Sequence, residues 1–318
     1  MDKIRVGVIG VGALGQHHAR IYASLPNVSL AGVVDCLPDR AAEIARPLGT
    51  VPYTNHRELF GKVDAVSIAT PTTLHAEIGN EFLNHGVHVL VEKPISNTLE
   101  GADRLIRAAK SNNCILQAGH LERFNPGVRA LREIVREPRF IEAHRMGLFS
   151  PRSLDIDVVL DLMIHDLDII SMLVPSPPAH VSAVGIQIMT KRIDIANARI
   201  QFADGCVANV TASRVSLEKI RKLRLFQRQE YISLDYTRQD VVIFGLNGAL
   251  GANPQIVSRK EAPPRKEPLE EELSAFLNAT RQAGPVECTG EDGKKALALA
   301  LMILRQAEAA QALEFDRH

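Results

Sequence analysis

Three groups of residues have types and spacing that suit chemistry. The first is Gly10-Val11-Gly12-Ala13-Leu14-Gly15, a GxGxxG run, with Asp35 twenty residues beyond Gly15. In such a run the first glycine allows a tight turn, and the second lets backbone approach a diphosphate. The third lets a helix pack closely on a strand. A helix opening there presents free N–H groups and partial positive charge to phosphates. A carboxylate at Asp35 suits a ribose 2′-hydroxyl and repels a 2′-phosphate, so NAD is favoured over NADP. Arg40, close by, would soften that preference. The competing reading is a glycine-rich turn with no ligand.

The second group is Glu92-Lys93-Pro94, directly after the apolar run that ends at Val91. A lysine delivered at a strand end, beside a proline that stiffens the turn, suits the place where a substrate meets a nicotinamide. A solvated Glu–Lys pair is the competing reading. Thr70 and Pro71 end an earlier strand and are candidates to line the cofactor. His75 is either a further cofactor contact or an ordinary early helix residue.

The third group lies on Asp157-Val-Val-Leu-Asp-Leu-Met-Ile-His165-Asp-Leu-Asp168, where Asp157, Asp161, His165 and Asp168 fall at offsets 0, 4, 8 and 11. Helical geometry predicts one polar stripe on an otherwise apolar helix. Asp161 and His165, four apart, are spaced for contact. A carboxylate beside an imidazole fixes its tautomer and raises its basicity, as a general base requires. A solvated helix face is the competing reading, although three acids and no Lys or Arg are unusual for one. Metal ligation by Asp157, Asp161 and His165 is a further alternative. No additional ligand cluster supports it, so no metal is expected.

These groups need elements to hold them. From residue 4 to about 118, short apolar runs alternate with helical stretches. Strands are predicted at Ile4–Ile9, Ser29–Val34, Val51–Tyr53, Asp64–Ala69, Val87–Val91 and Cys114–Gln117. Helices are predicted near Gly15–Leu25, Pro38–Pro47, Leu74–His85 and Leu99–Ser111. That alternation implies βαβ units and a doubly wound parallel sheet, with ligands beyond the carboxyl ends of its strands. After Gly119 the pattern changes to helices near Val128–Arg136 and Asp157–Leu173. Strand-like runs come next at His180–Met189, Ala196–Ala203, Cys206–Ser213, Leu223–Gln227 and Tyr231–Tyr236. Asp204-Gly205 marks a hairpin. This half predicts a mostly antiparallel sheet with helices on one face. A proline-rich linker, Ala262–Pro268, precedes two helices near Leu269–Gln282 and Glu291–Ala312. Two domains are expected: residues 1–119 for the cofactor, and residues 120–318 for substrate binding and oligomerisation.

Composition narrows the function classes. A chain of 318 residues suits two domains, and it carries 37 Lys+Arg against 37 Asp+Glu. Zero formal charge gives no bulk signature of nucleic-acid or membrane-surface binding. Cys36, Cys114, Cys206 and Cys288 are widely spaced, with no CxxC pair, and are expected to be reduced thiols in the cytoplasm. The basic and apolar start superficially resembles a signal peptide, but its glycines at fixed offsets read as structure.

The GxGxxG start, the Thr-Pro…His segment, the Glu-Lys-Pro tripeptide and the later DxxxH helix together resemble the Gfo/Idh/MocA oxidoreductases. The resemblance covers essentially the whole chain in order. It implies a Rossmann domain followed by an α/β domain with a large open-faced antiparallel sheet, and dimers or tetramers formed through that sheet. It also implies that Lys93 is the catalytic lysine, His165 the catalytic histidine and Asp161 the acid preceding it. Many members have a glycine-rich turn before this helix, whereas this chain has Arg152-Ser153-Leu154-Asp155-Ile156-Asp157. Gly119-His120-Leu121-Glu122-Arg123-Phe124-Asn125-Pro126 resembles the subgroup that oxidises the 3-hydroxyl of UDP-N-acetylglucosamine for lipid A amino sugars. On that reading Arg123 and Asn125 are substrate contacts. The open alternatives are a dehydrogenase of a free cyclitol or sugar acid, an NAD-dependent glycosidase and a non-catalytic NAD-binding regulator.

Overall fold

In the computed structural model the first half of the chain alternates strand and helix. The structure describes residues 3–150, 156–247, 255–282 and 284–315. The elements are β1 (Ile4–Ile9), α1 (Gly15–Ser24), β2 (Val28–Val34), α2 (Pro38–Leu48), β3 (Pro52–Tyr53), β4 (Ala65–Ile68), α3 (Thr72–Asn84), β5 (His88–Glu92), α4 (Leu99–Ser111) and β6 (Leu116–Gly119). All six strands pair in parallel, in the order β3-β2-β1-β4-β5-β6. This is the doubly wound arrangement whose order reverses between β1 and β4, placing a ligand crevice beyond those two strand ends. The central strands are mostly apolar, Arg5 at the exposed start of β1 and the buried Ser67 of β4 aside, as a sheet covered on both faces requires.

The second half begins with α5 (Pro126–Ile134), β7 (Phe140–Met146), a π-helical turn (Val159–Met163) and α6 (Ile164–Leu173). It continues with β8 (Pro178–Ile186), β9 (Ile195–Phe202), β10 (Val207–Ser213), β11 (Ile220–Gln227), β12 (Glu230–Asp235), β13 (Asp240–Asn247) and β14 (Gln255–Glu261). These eight strands form one sheet in the order β14-β13-β12-β11-β7-β10-β9-β8, antiparallel except for the β7–β10 pair. Alternate residues bury one face: Ile141 and Ala143, Ala196, Ala198 and Ile200, Val210, Leu223 and Leu225, Ile232 and Leu234. Their neighbours point to the other face. There Phe140, Phe226, Tyr231 and Phe244 form a row across β7, β11, β12 and β13, with successive ring centroids 5.6, 5.1 and 5.9 Å apart.

The chain closes with α7 (Pro268–Thr280) and α8 (Gly290–Phe315). Leu269, Leu273, Phe276 and Leu277 of α7 recur at helical spacing and join the core that holds Val6 and Val8 of β1, Tyr22 of α1 and Leu90 of β5. Each such side chain contributes about 1.5–3 kcal/mol on burial. Two units result: Met1–Leu121 with Glu267–Leu297, and Glu122–Lys266 with Ala298–His318. A single cut at residue 120 therefore does not describe the partition. α7 buries its apolar stripe in the core of the first unit, beside α1, which sequence order alone does not reveal. The strands β7, β13 and β14 are also absent from the sequence expectation.

Candidate active site

The glycine turn is built as its residue types demand. Gly10 has φ +82°, and a Cβ there would meet the carbonyl oxygen of Ala69 at 2.7 Å. A Cβ on Gly15 would collide with the carbonyl oxygen of Gly10. Gly12 differs, because a Cβ there would meet only Arg40 Nη1, at 3.9 Å. Its small size keeps space clear rather than relieving a clash. Leu14 gives α1 no side-chain cap, so the start of that helix offers backbone N–H groups to a ligand.

A cavity of about 520 Å³ opens over this turn. Gly10, Gly12, Ala13, Leu14, Asp35, Arg40, Thr70 and Pro71, all expected from the sequence, line it. Cys36, Thr54, His56, Leu74 and Ile78 line it too, and nothing in their types marks them for it. Asp35 Oδ2 accepts the Val11 amide at 3.2 Å, Oδ1 accepts the Leu37 amide at 3.0 Å, and Arg40 Nη1 lies 3.6 Å from Oδ2. The Thr70 hydroxyl is buried in the cavity wall without a hydrogen-bond partner among the described residues. An open cradle at Gly12, an uncapped helix start, a carboxylate at the end of β2 and an orphaned hydroxyl together fit a dinucleotide.

His75, a candidate cofactor contact, and Glu92 of the Glu-Lys-Pro group turn elsewhere. His75 is buried, with Nε2 2.8 Å from the Thr70 carbonyl and Nδ1 2.9 Å from the Pro94 carbonyl. Burial lowers its pKa, against the pull of those two carbonyls. It ties the two strand-end turns together from behind the cavity wall. Glu92 is also buried. Its Oε1 lies 3.1 Å from Nε2 of His18 on α1, without hydrogen-bond alignment, and its Oε2 accepts the Lys93 amide at 3.2 Å. Lys93 comes next, at the end of β5, partly exposed, in a cis peptide with Pro94.

In the second unit, His165 is the second residue of α6 and Asp161 sits in the π-helical turn before it, both half-buried. The single four-residue stripe is not formed. Asp157 precedes the helix and accepts the Ile193 amide at 2.9 Å. The π-turn carries one extra residue and rotates α6 relative to Asp157. Asp168 is buried and accepts Arg123 Nε and Nη2 at 2.8 and 2.7 Å. Arg123 is thus held by Asp168 within the unit. Asn125 is buried as well: its Oδ1 caps α5 by accepting the Gly127 amide, and its Nδ2 donates to the Tyr236 carbonyl at 3.0 Å. Sequence reasoning missed Glu122, Arg145 and Asp166. Arg145 donates to Asp166 at 2.7 and 3.1 Å and to Glu122 at 3.0 Å, all three buried. With β7 recognised as a strand, a charged residue in phase with Ile141 and Ala143 is the signal that marks it. Residues 152–155 of the departing loop lie outside the described residues.

A model of the oxidoreductase family with an NAD-binding Rossmann fold, Gfo/Idh/MocA, matches residues 4–120, and the GFO/IDH/MocA C-terminal domain matches residues 135–250. The chain belongs to the Gfo/Idh/MocA oxidoreductase family. It is 40% identical to the UDP-N-acetylglucosamine 3-dehydrogenase of Acidithiobacillus ferrooxidans, over 97% of this chain and 99% of that protein. A solved structure of that enzyme superposes with a TM-score of 0.91, at 39% identity, with 97% of this chain and 99% of the other covered. The Myo-inositol 2-dehydrogenase of Thermotoga maritima is 26% identical over 98% of this chain and 99% of that protein. As a Gfo/Idh/MocA member the protein is an NAD-dependent oxidoreductase.

Proposed function

We propose that the protein oxidises the 3-hydroxyl of UDP-N-acetylglucosamine, or reduces the matching ketone. The observation that carries this reading is the 40% identity, over nearly the full length of both chains, to an enzyme named for that reaction. The second reading is a cyclitol dehydrogenase, favoured by the full-length but more distant inositol relative.

In this reading the Gly10–Gly15 turn, Asp35, Arg40, Thr70 and Pro71 hold NAD. When bound, NAD supplies the acceptor for the hydride leaving the sugar carbon. His165 takes the proton of the sugar hydroxyl, and Lys93 donates a hydrogen bond to that oxygen, stabilising its developing negative charge. Asp161 orients the imidazole and stabilises its protonated form. General-base help of this kind is worth about 10²–10⁴-fold. Lys93 and His165 have no task in a purely regulatory NAD binder.

The protein is further proposed to act in the cytoplasm, where its 3-keto product feeds an aminotransferase for lipid A amino sugars. All four cysteines are free thiols, as a reducing compartment favours. It is also proposed to form a homodimer or homotetramer through the open face of the eight-stranded sheet. The aromatic row there (Phe140, Phe226, Tyr231 and Phe244) is the contact surface offered to a second copy.

Parallel assays with UDP-N-acetylglucosamine and myo-inositol, each with and without added UDP, separate the two substrate readings. Turnover of the nucleotide sugar, inhibited by UDP, supports the first. UDP-insensitive turnover of the cyclitol alone overturns it.

A further inference from the structure

Within the second unit, the two acids nearest His165 on its C-terminal side are each gripped by a buried arginine. Arg145 holds Asp166 with Nε and Nη2 at 2.7 and 3.1 Å, and Arg123 holds Asp168 with Nε and Nη2 at 2.8 and 2.7 Å. All four residues are at most 5% exposed. Bidentate forks of this kind fix direction as well as distance.

Their placement on α6 matters. Successive helix residues are about 100° apart, so Asp166 lies about 100° to one side of His165 and Asp168 about 60° to the other. The forks therefore hold the helix on both flanks of the imidazole. Rolling α6 in either direction to move His165 would break one of them. The π-helical turn at Val159–Met163 lies immediately before this stretch.

Both forks rest on the Glu122–Asn125 segment. Glu122 accepts the third donor of Arg145 at 3.0 Å, and Arg123 is its chain neighbour. Asn125 fixes the Tyr236 backbone, and the Tyr236 ring lies 4.8 Å beneath the Arg145 guanidinium. Arg221 faces Arg145 across the β7–β11 pair; its burial and, second, the Arg145 charge lower its pKa, against the pull of Glu122 and Asp166. With Arg221, the Glu122–Asp166–Arg145 group is charge-balanced, which suits a permanent scaffold better than a site for an anion.

We infer that Arg123 and Arg145 are positioning residues: through Asp168 and Asp166 they set the rotation of α6 and so the aim of His165. The inference rests on the proposed role of His165 as the proton acceptor. It reassigns the Glu122-Arg123-Phe124-Asn125 motif from substrate contact to the mount of the base.

The test is a double-mutant cycle in the full-length protein with UDP-N-acetylglucosamine and NAD, combining Arg123→Lys with His165→Ala. Lysine keeps the charge and loses the fork. A misaimed base costs about a hundredfold for about 1 Å of displacement. Arg123→Lys is expected to lower kcat by about tenfold to a hundredfold, with the KM for both substrates within about twofold of the parent. In the His165→Ala background it should have no further effect on kcat. Arg145→Lys gives the same test from the other flank if Arg123→Lys does not fold. A substrate-independent readout is the NMR signal of the His165 Cε1–H, assigned by its loss in His165→Ala. It should be single and sharp in the parent, and broadened or shifted in both lysine variants.

An equal loss in both backgrounds, or no change in kcat and in the ring signal, overturns the positioning role while leaving His165 as the base. Full activity in His165→Ala overturns the catalytic reading itself, and the positioning role with it.

Discussion

Asp35 at the end of β2 accepts the backbone amide of Val11 at 3.2 Å, so the acid proposed to read the ribose is fastened to the glycine turn proposed to receive the diphosphate. In that proposal one carboxylate serves both recognition and loop geometry. Asp35→Asn keeps a carbonyl oxygen for one amide but loses the charge. Hydrogen bonds to charged groups contribute about 1.5–3 kcal/mol, so NAD affinity should fall about tenfold to a hundredfold. NADP should lose less, because the repulsion of its 2′-phosphate disappears. Titration calorimetry with both nucleotides checks this, and an unchanged NAD-to-NADP ratio would count against the assignment.

The two outer glycines and the middle one should behave differently. A Cβ at Gly15 meets backbone, whereas a Cβ at Gly12 meets open space beside Arg40. Gly12→Val is therefore expected to leave stability within about 1 kcal/mol of the parent. It should weaken NAD binding at least about a hundredfold, roughly 2.7 kcal/mol. Gly15→Val should lower the melting temperature outright. Thermal unfolding with and without NAD separates the two cases.

Asp194 gives a pH signature in the second unit. Burial of the carboxylate alone would raise its pKa. The Thr190 hydroxyl and the amides of Ile188, Met189 and Thr190 outweigh that and hold it to about 2. The folded value lies below the ordinary 3.8, so the unfolded chain takes up the proton first as pH falls. The stabilisation is present above about pH 4 and fades between there and about pH 2. Asp194→Asn should cost about 1–3 kcal/mol at neutral pH and flatten the acid limb of stability. Urea unfolding across that range reads both effects.

The aromatic row predicts a change of assembly. Placing a charge in its centre with Tyr231→Arg should dissociate the proposed oligomer, because an unpaired guanidinium cannot be buried against a second apolar row without cost. Sedimentation should then give a monomer with an unchanged circular dichroism spectrum. An unchanged sedimentation coefficient would move the interface elsewhere.

How much of this is legible in the sequence depends on whether backbone or side chain carries the signal. The glycine turn, Asp35 and the strand-end Thr70-Pro71 are readable because their spacing reflects βαβ geometry that few other residues satisfy. The parallel sheet is readable for the same reason. The two arginine forks are not. Arg145 looks like one of several surface charges until β7 places it in phase with Ile141 and Ala143, and nothing in the spacing of Arg123 marks its pairing with Asp168. The π-turn leaves no mark, since Val159–Met163 is nearly all apolar and fits an ordinary helix equally well. β14 is exposed along its whole length, so the alternation that betrays a half-buried strand is missing. The apolar stripe of α7 announces burial, but a stripe does not say against which sheet.

The proposed role of His165 is to accept a proton from a sugar hydroxyl as a hydride passes to NAD. It is tested most directly by NADH formation from UDP-N-acetylglucosamine, monitored by absorbance, with the ketone trapped by a hydrazine because alcohol oxidation is uphill near neutral pH. Turnover by the parent protein is expected, with a loss of about 10²–10⁴-fold in His165→Ala and NAD affinity retained. Undiminished turnover in His165→Ala would contradict it.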